Sequence, residues 1–189
     1  MDILKKYDKA FALNSKVYGS LKASMGLKIL PNICAFLKFK SVLDVGSGPG
    51  WSVVEFMKRG YKASGLEPCR YLHENELRIL IGLGIVRKGV ASNIPYDIDT
   101  FDLVFSTDVL EHIPEEDAKK SIAEMIRVSS KYVFCSISFV EAQCYPEMHL
   151  HCTVKPRSWW KSEFEKYRVK QVKHKELEGY PNYFLYKKY

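Results

Sequence analysis

A strand-like apolar run that ends in a glycine-rich segment limits the fold of this chain more than any other feature. Residues Ser41–Val45 have the composition of a short buried β-strand, and Gly46-Ser47-Gly48-Pro49-Gly50 follows directly. An apolar helical stripe then runs from Val53 to Met57 and stops at Gly60. Glycine permits a sharp backbone turn at the end of a strand. A strand, a glycine turn and a helix in this order indicate the first unit of a parallel α/β sheet.

The same alternation continues along the chain. Further strands are expected at 62–67, 84–88, 101–107 and 131–139, and helices at 69–80, 114–128 and 157–167. Two final strands, at 169–174 and 183–186, leave no room for a crossover helix and should pair antiparallel. We therefore expect one α/β domain with a Rossmann-like, doubly wound, mostly parallel seven-stranded sheet and an antiparallel strand near the C-terminus. Residues 1–40 would form a helical cap, with a second helical piece after Pro31, and residues 41–189 the α/β core.

The formal net charge of +7 is unevenly distributed. Residues 41–154 carry a net charge of −5, whereas residues 1–40 and 155–189 each carry +6. Basic ends fit an anionic partner, such as nucleic acid, a phosphorylated small molecule or a membrane surface. They equally fit solvated lysines that keep a small protein soluble. The basic residues do not form dense blocks with interleaved aromatic residues, so nucleic-acid binding is not the favoured interpretation.

The cysteines and the N-terminal residues indicate in which cellular compartment the protein is expected. The five cysteines are an odd number with irregular spacing, which favours reduced thiols over a disulfide framework. No apolar stretch approaches the roughly 18–20 residues that cross a bilayer, and the charged N-terminus lacks the apolar core of a secretory signal. We therefore expect a cytoplasmic protein with no membrane partner, and the sequence leaves its oligomeric state open.

The glycine segment differs from the phosphate-binding loops that it superficially suggests. A dinucleotide fingerprint needs a glycine where Trp51 stands, and a Walker loop needs a lysine that is missing. Asp44 places a carboxylate beside the loop, which repels a pyrophosphate and attracts an ammonium or sulfonium group. Glu67, at the end of the second strand, is placed to accept hydrogen bonds from both hydroxyls of a ribose. A cationic ligand that carries a ribose is S-adenosylmethionine.

Three separated motifs resemble those of the class I S-adenosylmethionine-dependent methyltransferases. They are VLDVGSGPG, Glu67-Pro68 and FDLVFSTDVLEHIP, in the family's order within residues 41–140. The resemblance implies a methyltransferase domain with S-adenosyl-L-methionine as cofactor. The residues that it assigns to the cofactor are Asp44, Gly46, Ser47, Gly48, Gly50, Glu67, Pro68, Ala91, Ser92, Thr107 and Asp108.

The family resemblance also implies individual roles. The glycines would line the methionine and ribose, Asp44 would face the amino group, and Glu67 would hold the ribose hydroxyls. Pro68 would lie beside the adenine, whereas Thr107 and Asp108 would lie at the methionine end and the substrate mouth.

One position departs from the family pattern. The family usually has an aspartate before the alanine to accept a hydrogen bond from the adenine amine, and this chain has Val90 there. That contact is left to backbone groups near Ala91 or to the side chain of Ser92. Val90 also keeps open a second class of function, a methyltransferase-like interaction module that has lost catalysis.

Histidines are the candidate catalytic residues. Methyl transfer depends mainly on positioning the acceptor, and a base helps only if the acceptor must lose a proton. His112 follows the fourth strand, where it could instead shape the start of the next helix, and Glu111 beside it is a further candidate base. His149 and His151 alternate after the fifth strand, so in an extended segment both would point to one side.

The segment around these histidines also contains cysteines. The spacing of Cys144, His149, His151 and Cys152 matches no common structural zinc pattern, so no metal site is expected.

The sequence limits the identity of the methyl acceptor only in part. Residues 107–110 read Thr-Asp-Val-Leu, which differs from the Asn/Asp-Pro-Pro-Tyr/Phe run of methyltransferases that act on exocyclic base amines. No recognition domain is evident beyond the last predicted strand. We therefore expect a small-molecule substrate with an oxygen acceptor, and an RNA or protein methyltransferase as the alternative. A helical cap with Lys5, Lys6 and Lys9 over the pocket would suit an anionic substrate.

Overall fold

The computed structural model describes residues 3–18, 24–141 and 150–189. Its strands are β1 (Ser41–Val45), β2 (Lys62–Glu67), β3 (Val86–Lys88), β4 (Phe101–Thr107), β5 (Ser129–Ser136), β6 (Val169–Gln171) and β7 (Tyr183–Lys188). Its helices are α1 (Ile3–Tyr18), α2 (Met25–Phe36), α3 (Trp51–Lys58), α4 (Arg70–Glu74), α5 (Arg78–Gly82), α6 (Glu115–Val128) and α7 (Arg157–Glu165).

The strands form one twisted layer in the order β3-β2-β1-β4-β5-β7-β6. The five strands from β1 to β5 are mutually parallel, and β7 runs antiparallel to both β5 and β6. The strand order reverses between β1 and β4, and ligands of such sheets bind at the carboxyl ends of the strands near this point. The predicted fold class, including the antiparallel C-terminal strand, is confirmed.

Helices cover both faces of the sheet. Successive strand residues point to opposite sides, and in the central strands both sets of side chains are apolar and must be buried. Along β4, Val104 packs with α6 and α7, where Trp160 is fully buried. Leu103 and Phe105 point to the other face and pack with α2 and α3. The central strands are therefore apolar on both faces, and polar side chains concentrate at their carboxyl ends.

Two predicted helical segments differ from the structure in their continuity. α2 passes through Pro31, although a helical restart after this proline was expected. The buried side chains Ile29 and Ile33 hold the helix against the sheet, and Pro31 lies on its exposed side, where the carbonyl that it leaves unbonded can face water. The helix expected at 69–80 is divided into α4 and α5, because Asn75 leaves helical geometry and its side-chain amide donates to Tyr71 O at 2.7 Å.

Strand β5 ends three residues before the bound expected from its apolar composition. Beyond Ser136, the amide of Ser138 donates to the Glu111 carboxylate at 2.7 Å, which diverts the chain away from the sheet. This bond links the end of β5 to the loop after β4. None of the helices in the described ranges combines the length and the apolarity needed to span a bilayer.

Candidate functional site

A cavity of about 800 Å³ opens at the carboxyl ends of β1, β2 and β4. This volume lies within the range of roughly 300–1,000 Å³ that small-molecule sites occupy. The loops after the three strands form its floor and walls, and Tyr7 and Phe11 of α1 contribute to its lining.

Helix α1 is anchored beside the cavity by bonds to distant parts of the chain. Asp8 Oδ1 accepts hydrogen bonds from Tyr71 N at 3.1 Å and from Cys69 Sγ at 3.2 Å. The Tyr7 hydroxyl donates to Leu150 O at 3.3 Å. The N-terminal helix therefore bridges the two sides of the cavity, between the segment after β2 and the segment at residue 150.

The backbone amides of the glycine loop, residues 46–48, donate hydrogen bonds to other parts of the protein. Gly46 and Gly48 have φ of +74° and +52°, which glycine adopts readily. The amides of Gly46 and Ser47 both donate to Leu66 O, at 2.8 and 3.1 Å, and the Gly48 amide donates to Glu67 Oε2 at 2.8 Å. Three consecutive amides are thus already paired, and this part of the loop does not form the anion-binding concavity of a phosphate loop.

Glu67 is held rigidly at the end of β2. Its Oε1 accepts from Cys69 N at 2.9 Å, while its Oε2 accepts from Gly48 N. Each carboxylate oxygen can accept more than one hydrogen bond, so both remain able to bind a ligand hydroxyl. The backbone amides therefore fix the orientation of the carboxylate in the cavity.

Asp44 and Glu67 form an acidic floor. Burial raises the pKa of Asp44 to about 8, and the nearby Glu67 charge acts in the same direction. Burial also raises the pKa of Glu67 to about 7, against the opposing effect of the two hydrogen bonds from backbone amides. Two buried carboxyl groups disfavour a polyanionic ligand and favour a cation.

We expect this pair to make the stability of the ligand-free protein pH-dependent. Both folded-state pKa values exceed the ordinary values near 4, so between about pH 5 and 7 the folded state binds more protons than the unfolded state. The free energy of unfolding should fall as the pH rises through this window, by up to about 1.4 kcal/mol per pH unit for each group. Urea unfolding at four pH values measures the slope.

Asp44→Asn isolates one member of the pair, and its slope should be shallower than that of the wild type. Glu74→Gln, which removes an exposed carboxylate, is the control and should leave the slope unchanged. An Asp44→Asn slope equal to the wild-type slope would contradict the raised pKa.

The cavity lining contains most of the residues that the sequence assigned to the cofactor. They are Asp44, Gly46, Ser47, Gly48, Glu67, Pro68, Ala91, Ser92, Thr107 and Asp108. Gly50 is different, since it does not belong to the described lining. A Cβ at this position would lie 2.7 Å from Leu80 Cδ1, and Gly50 instead begins α3 with a φ of +85°. The assignment of Gly50 to the cofactor therefore stays a prediction.

The end of the cavity that holds the predicted catalytic residues His112 and His151, named the acceptor end from that prediction, brings together polar groups from two distant segments. Asp108 closes β4 with a φ of +55°, a strained conformation for a residue with a side chain. His112 and His151 both line the cavity, and their ring centroids are 4.6 Å apart in an edge-to-face arrangement. His149 lies outside the described residues.

Burial changes the ionisation of this end. It raises the pKa of Glu111 to about 8, with a further increase from the Asp108 charge, and it lowers the pKa of His112 to about 4. Burial also raises the pKa of Asp108, although the nearby His151 and Lys28 oppose this effect.

Some lining residues were not identified from the sequence. Ser138 and Asn182 reach the cavity from the end of β5 and from the turn before β7, and Ile137 N donates to Asn182 O at 3.1 Å. The insertion of β7 next to β5 places them there, and no local motif marks this position. Tyr7 and Phe11 lie four residues apart in the predicted helical cap, a spacing that places two side chains on one helix face.

Comparison with known proteins identifies a methyltransferase domain model that matches residues 43–135. Norajmaline N-methyltransferase of Rauvolfia serpentina is 35% identical over 103 residues, which cover 49% of this chain and 33% of the relative. An uncharacterised methyltransferase of Mycobacterium sp. (strain KMS) is 33% identical over 91 residues, which cover 48% of this chain and 34% of that protein. The chain thus spans about a third of the length of these curated relatives.

Among solved structures, the PH0226 protein of Pyrococcus horikoshii OT3 superposes with a TM-score of 0.76 at 13% sequence identity. The superposition covers 96% of this chain and 99% of that one. At this identity the likeness concerns the fold, and it includes the helices before β1 as well as the C-terminal strands.

Proposed function

The chain belongs to the class I S-adenosylmethionine-dependent methyltransferase family, and from this premise we propose that it methylates a small-molecule acceptor at an oxygen atom. The observation that carries the proposal is the acidic floor formed by Asp44 and Glu67 beneath a glycine loop whose amides are already paired. A floor of this kind suits a sulfonium ligand with free ribose hydroxyls, and it disfavours a pyrophosphate.

The residues present fit S-adenosylmethionine. Glu67 presents two oriented oxygens for the ribose. A Cβ at Gly48 would meet no described atom within 4 Å, so this loop position opens onto free space. Asp44 can supply a negative charge for an amino or sulfonium group, because a bound cation favours the ionised form of its carboxyl.

The catalytic contribution of the chain would be positioning. When bound, S-adenosylmethionine supplies an electrophilic methyl group on a sulfonium sulfur. Glu67 would hold the ribose end, and the walls of the cavity would limit access of water. His112 and His151 would contact the acceptor hydroxyl from the opposite end, and His149 remains a predicted member of this group. Correct alignment alone accounts for a large share of the rate in such a reaction.

A small acceptor is supported by the enclosure of the cavity. Tyr7 and Phe11 of α1 narrow the space above the strand ends, which suits a metabolite better than a polymer. The name of the Rauvolfia relative indicates a small-molecule acceptor methylated at nitrogen. Oxygen is proposed here because carboxyl and imidazole groups surround the acceptor end, where they can bind a hydroxyl. Lysines of α1 would favour an anionic acceptor.

Two measurements test the proposal. Calorimetric titration with S-adenosylhomocysteine should give a micromolar dissociation constant, and absence of binding at millimolar ligand would favour the non-catalytic module. Transfer of labelled methyl groups from S-adenosylmethionine to pooled hydroxylated metabolites should exceed transfer to total RNA or protein. Preferential labelling of RNA, with binding that weakens steeply as salt rises, would contradict the small-molecule assignment.

A further inference from the structure

Three residues at the acceptor end form a compact group of potential metal ligands. Glu111, His112 and His151 each offer one ligand atom, and these atoms all lie within 4.8 Å of one another. Two adjacent residues of the loop after β4 thereby meet a third that lies far away in the sequence. The group lines the same cavity as the acidic floor, at its other end.

Backbone bonds hold the two segments together. The amides of Cys152 and Thr153 both donate to Glu111 O, at 2.7 and 2.9 Å. The Thr153 hydroxyl donates to Ile113 O at 2.7 Å. His151 therefore occupies a defined position beside His112, set by backbone hydrogen bonds as well as by ring packing.

Both imidazole rings are oriented by backbone carbonyls. His112 Nδ1 lies 3.0 Å from Leu150 O, and His151 Nδ1 lies 2.5 Å from Val140 O. A carbonyl oxygen only accepts hydrogen bonds, so each Nδ1 must carry the proton and each Nε2 keeps its lone pair. Metal-binding histidines are commonly oriented in this way, with the second ring nitrogen donating to a carbonyl or a carboxylate.

Glu111 adds an independent observation. Its side chain is fully buried, and Oε1 accepts from the Ser138 amide. Oε2 is buried without a hydrogen-bond partner in the described part of the chain. An unpaired buried carboxyl oxygen is costly, by roughly 1–3 kcal/mol, and most buried polar groups are paired. If the two histidines only packed edge to face, their ring contact would be explained. The unpaired Oε2 of Glu111 would still have no explanation.

We propose that Glu111, His112 and His151 bind one divalent transition-metal cation, which holds the acceptor hydroxyl in front of the methyl donor. The role in holding the acceptor rests on the proposed function, whereas cation binding itself does not. Two imidazoles and one carboxylate suit Zn²⁺, Mn²⁺, Fe²⁺ or Co²⁺ better than Ca²⁺ or Mg²⁺. Three protein ligands leave coordination positions open, as in catalytic metal sites, and the cavity lies on that side.

The test uses the full chain after removal of metal by a chelator. Titration with Co²⁺, followed by visible absorption, and calorimetric titration with Mn²⁺ should each show one equivalent bound. His151→Ala, at a half-buried position, should weaken binding at least tenfold. Glu111→Gln is nearly isosteric and should have a similar effect, and circular dichroism verifies that both variants fold.

His174→Ala is the matched control, because His174 is a histidine outside the cavity that stacks on Phe36. Its affinity for both ions should equal that of the wild type. Failure of both ions to bind, or equal affinity in folded His151→Ala, would overturn the proposal. S-adenosylhomocysteine titration of the same metal-free protein keeps the two hypotheses distinguishable, because its failure would count against the proposed function alone.

Discussion

Replacing Glu67 by alanine should weaken S-adenosylhomocysteine binding at least 100-fold, which corresponds to about 2.7 kcal/mol. The substitution removes both carboxylate oxygens that we propose to accept hydrogen bonds from the ribose hydroxyls, and hydrogen bonds to a charged group contribute roughly 1.5–3 kcal/mol each. It also leaves the Gly48 and Cys69 amides without their shared partner, so the glycine loop loses one of the hydrogen bonds that orient it. Calorimetry at pH 8, above the raised pKa of Glu67, measures the ionised state.

Two further variants separate the ligand contact from the structural bonds. Glu67→Gln keeps one carbonyl acceptor and the side-chain shape, so its affinity should fall between those of the wild type and Glu67→Ala. Glu74→Ala removes an exposed carboxylate, paired with Arg70, from the following helix and should bind as the wild type does. If Glu67→Ala bound S-adenosylhomocysteine with wild-type affinity, the proposed contact between Glu67 and the ribose would be contradicted.

Replacing Gly46 by alanine should destabilise the fold by about 2–5 kcal/mol. The left-handed backbone at φ +74° costs a residue with a Cβ roughly 1–2 kcal/mol. The new Cβ would also lie 2.3 Å from Val109 Cγ2, and overpacking of this kind costs typically 1–3 kcal/mol. Chemical denaturation compares the variant with the wild type.

The matched control is Gly60→Ala, because Gly60 has a similar φ of +88° and a Cβ there would meet nothing within 4 Å. The loss of unfolding free energy in Gly60→Ala should be limited to the cost of the left-handed backbone conformation. A Gly46→Ala/Val109→Ala double variant should recover the collision part of the loss, so that it is less destabilised than the sum of the two single variants. Equal losses in Gly46→Ala and Gly60→Ala would contradict the predicted collision.

Local patterns in the sequence predicted the fold class and the acidic end of the site. Strands β1 and β4 were visible as short apolar runs, because central parallel strands are buried on both faces. Asp44 and Glu67 could be placed together from the order of the strands, since they lie at the ends of neighbouring parallel strands. The motif positions also identified Thr107 and Asp108 as cavity residues.

Gly50 shows that neighbouring positions of one motif can have different surroundings. Its sequence context is that of Gly46 and Gly48, yet it is outside the described cavity lining, and a Cβ there would lie 2.7 Å from Leu80 Cδ1. The direction in which a loop residue points depends on the helices packed around it, which a local pattern does not contain. The break between α4 and α5 was likewise not predicted from the local pattern. It occurs where the Asn75 side chain donates a hydrogen bond back to Tyr71 O of α4.

The acceptor end was decided by the tertiary structure alone. The sequence marked His112 and His151 as separate candidates, and its cysteine and histidine spacing predicted no metal site. Their meeting depends on the Cys152 and Thr153 amides, which pair with Glu111 O across about forty residues. Such long-range backbone bonds leave no periodicity in the sequence. The residue types and the strand ends were thus determined by the sequence, whereas the grouping of Glu111 with the two histidines arose only when the segments after β4 and β5 were packed together.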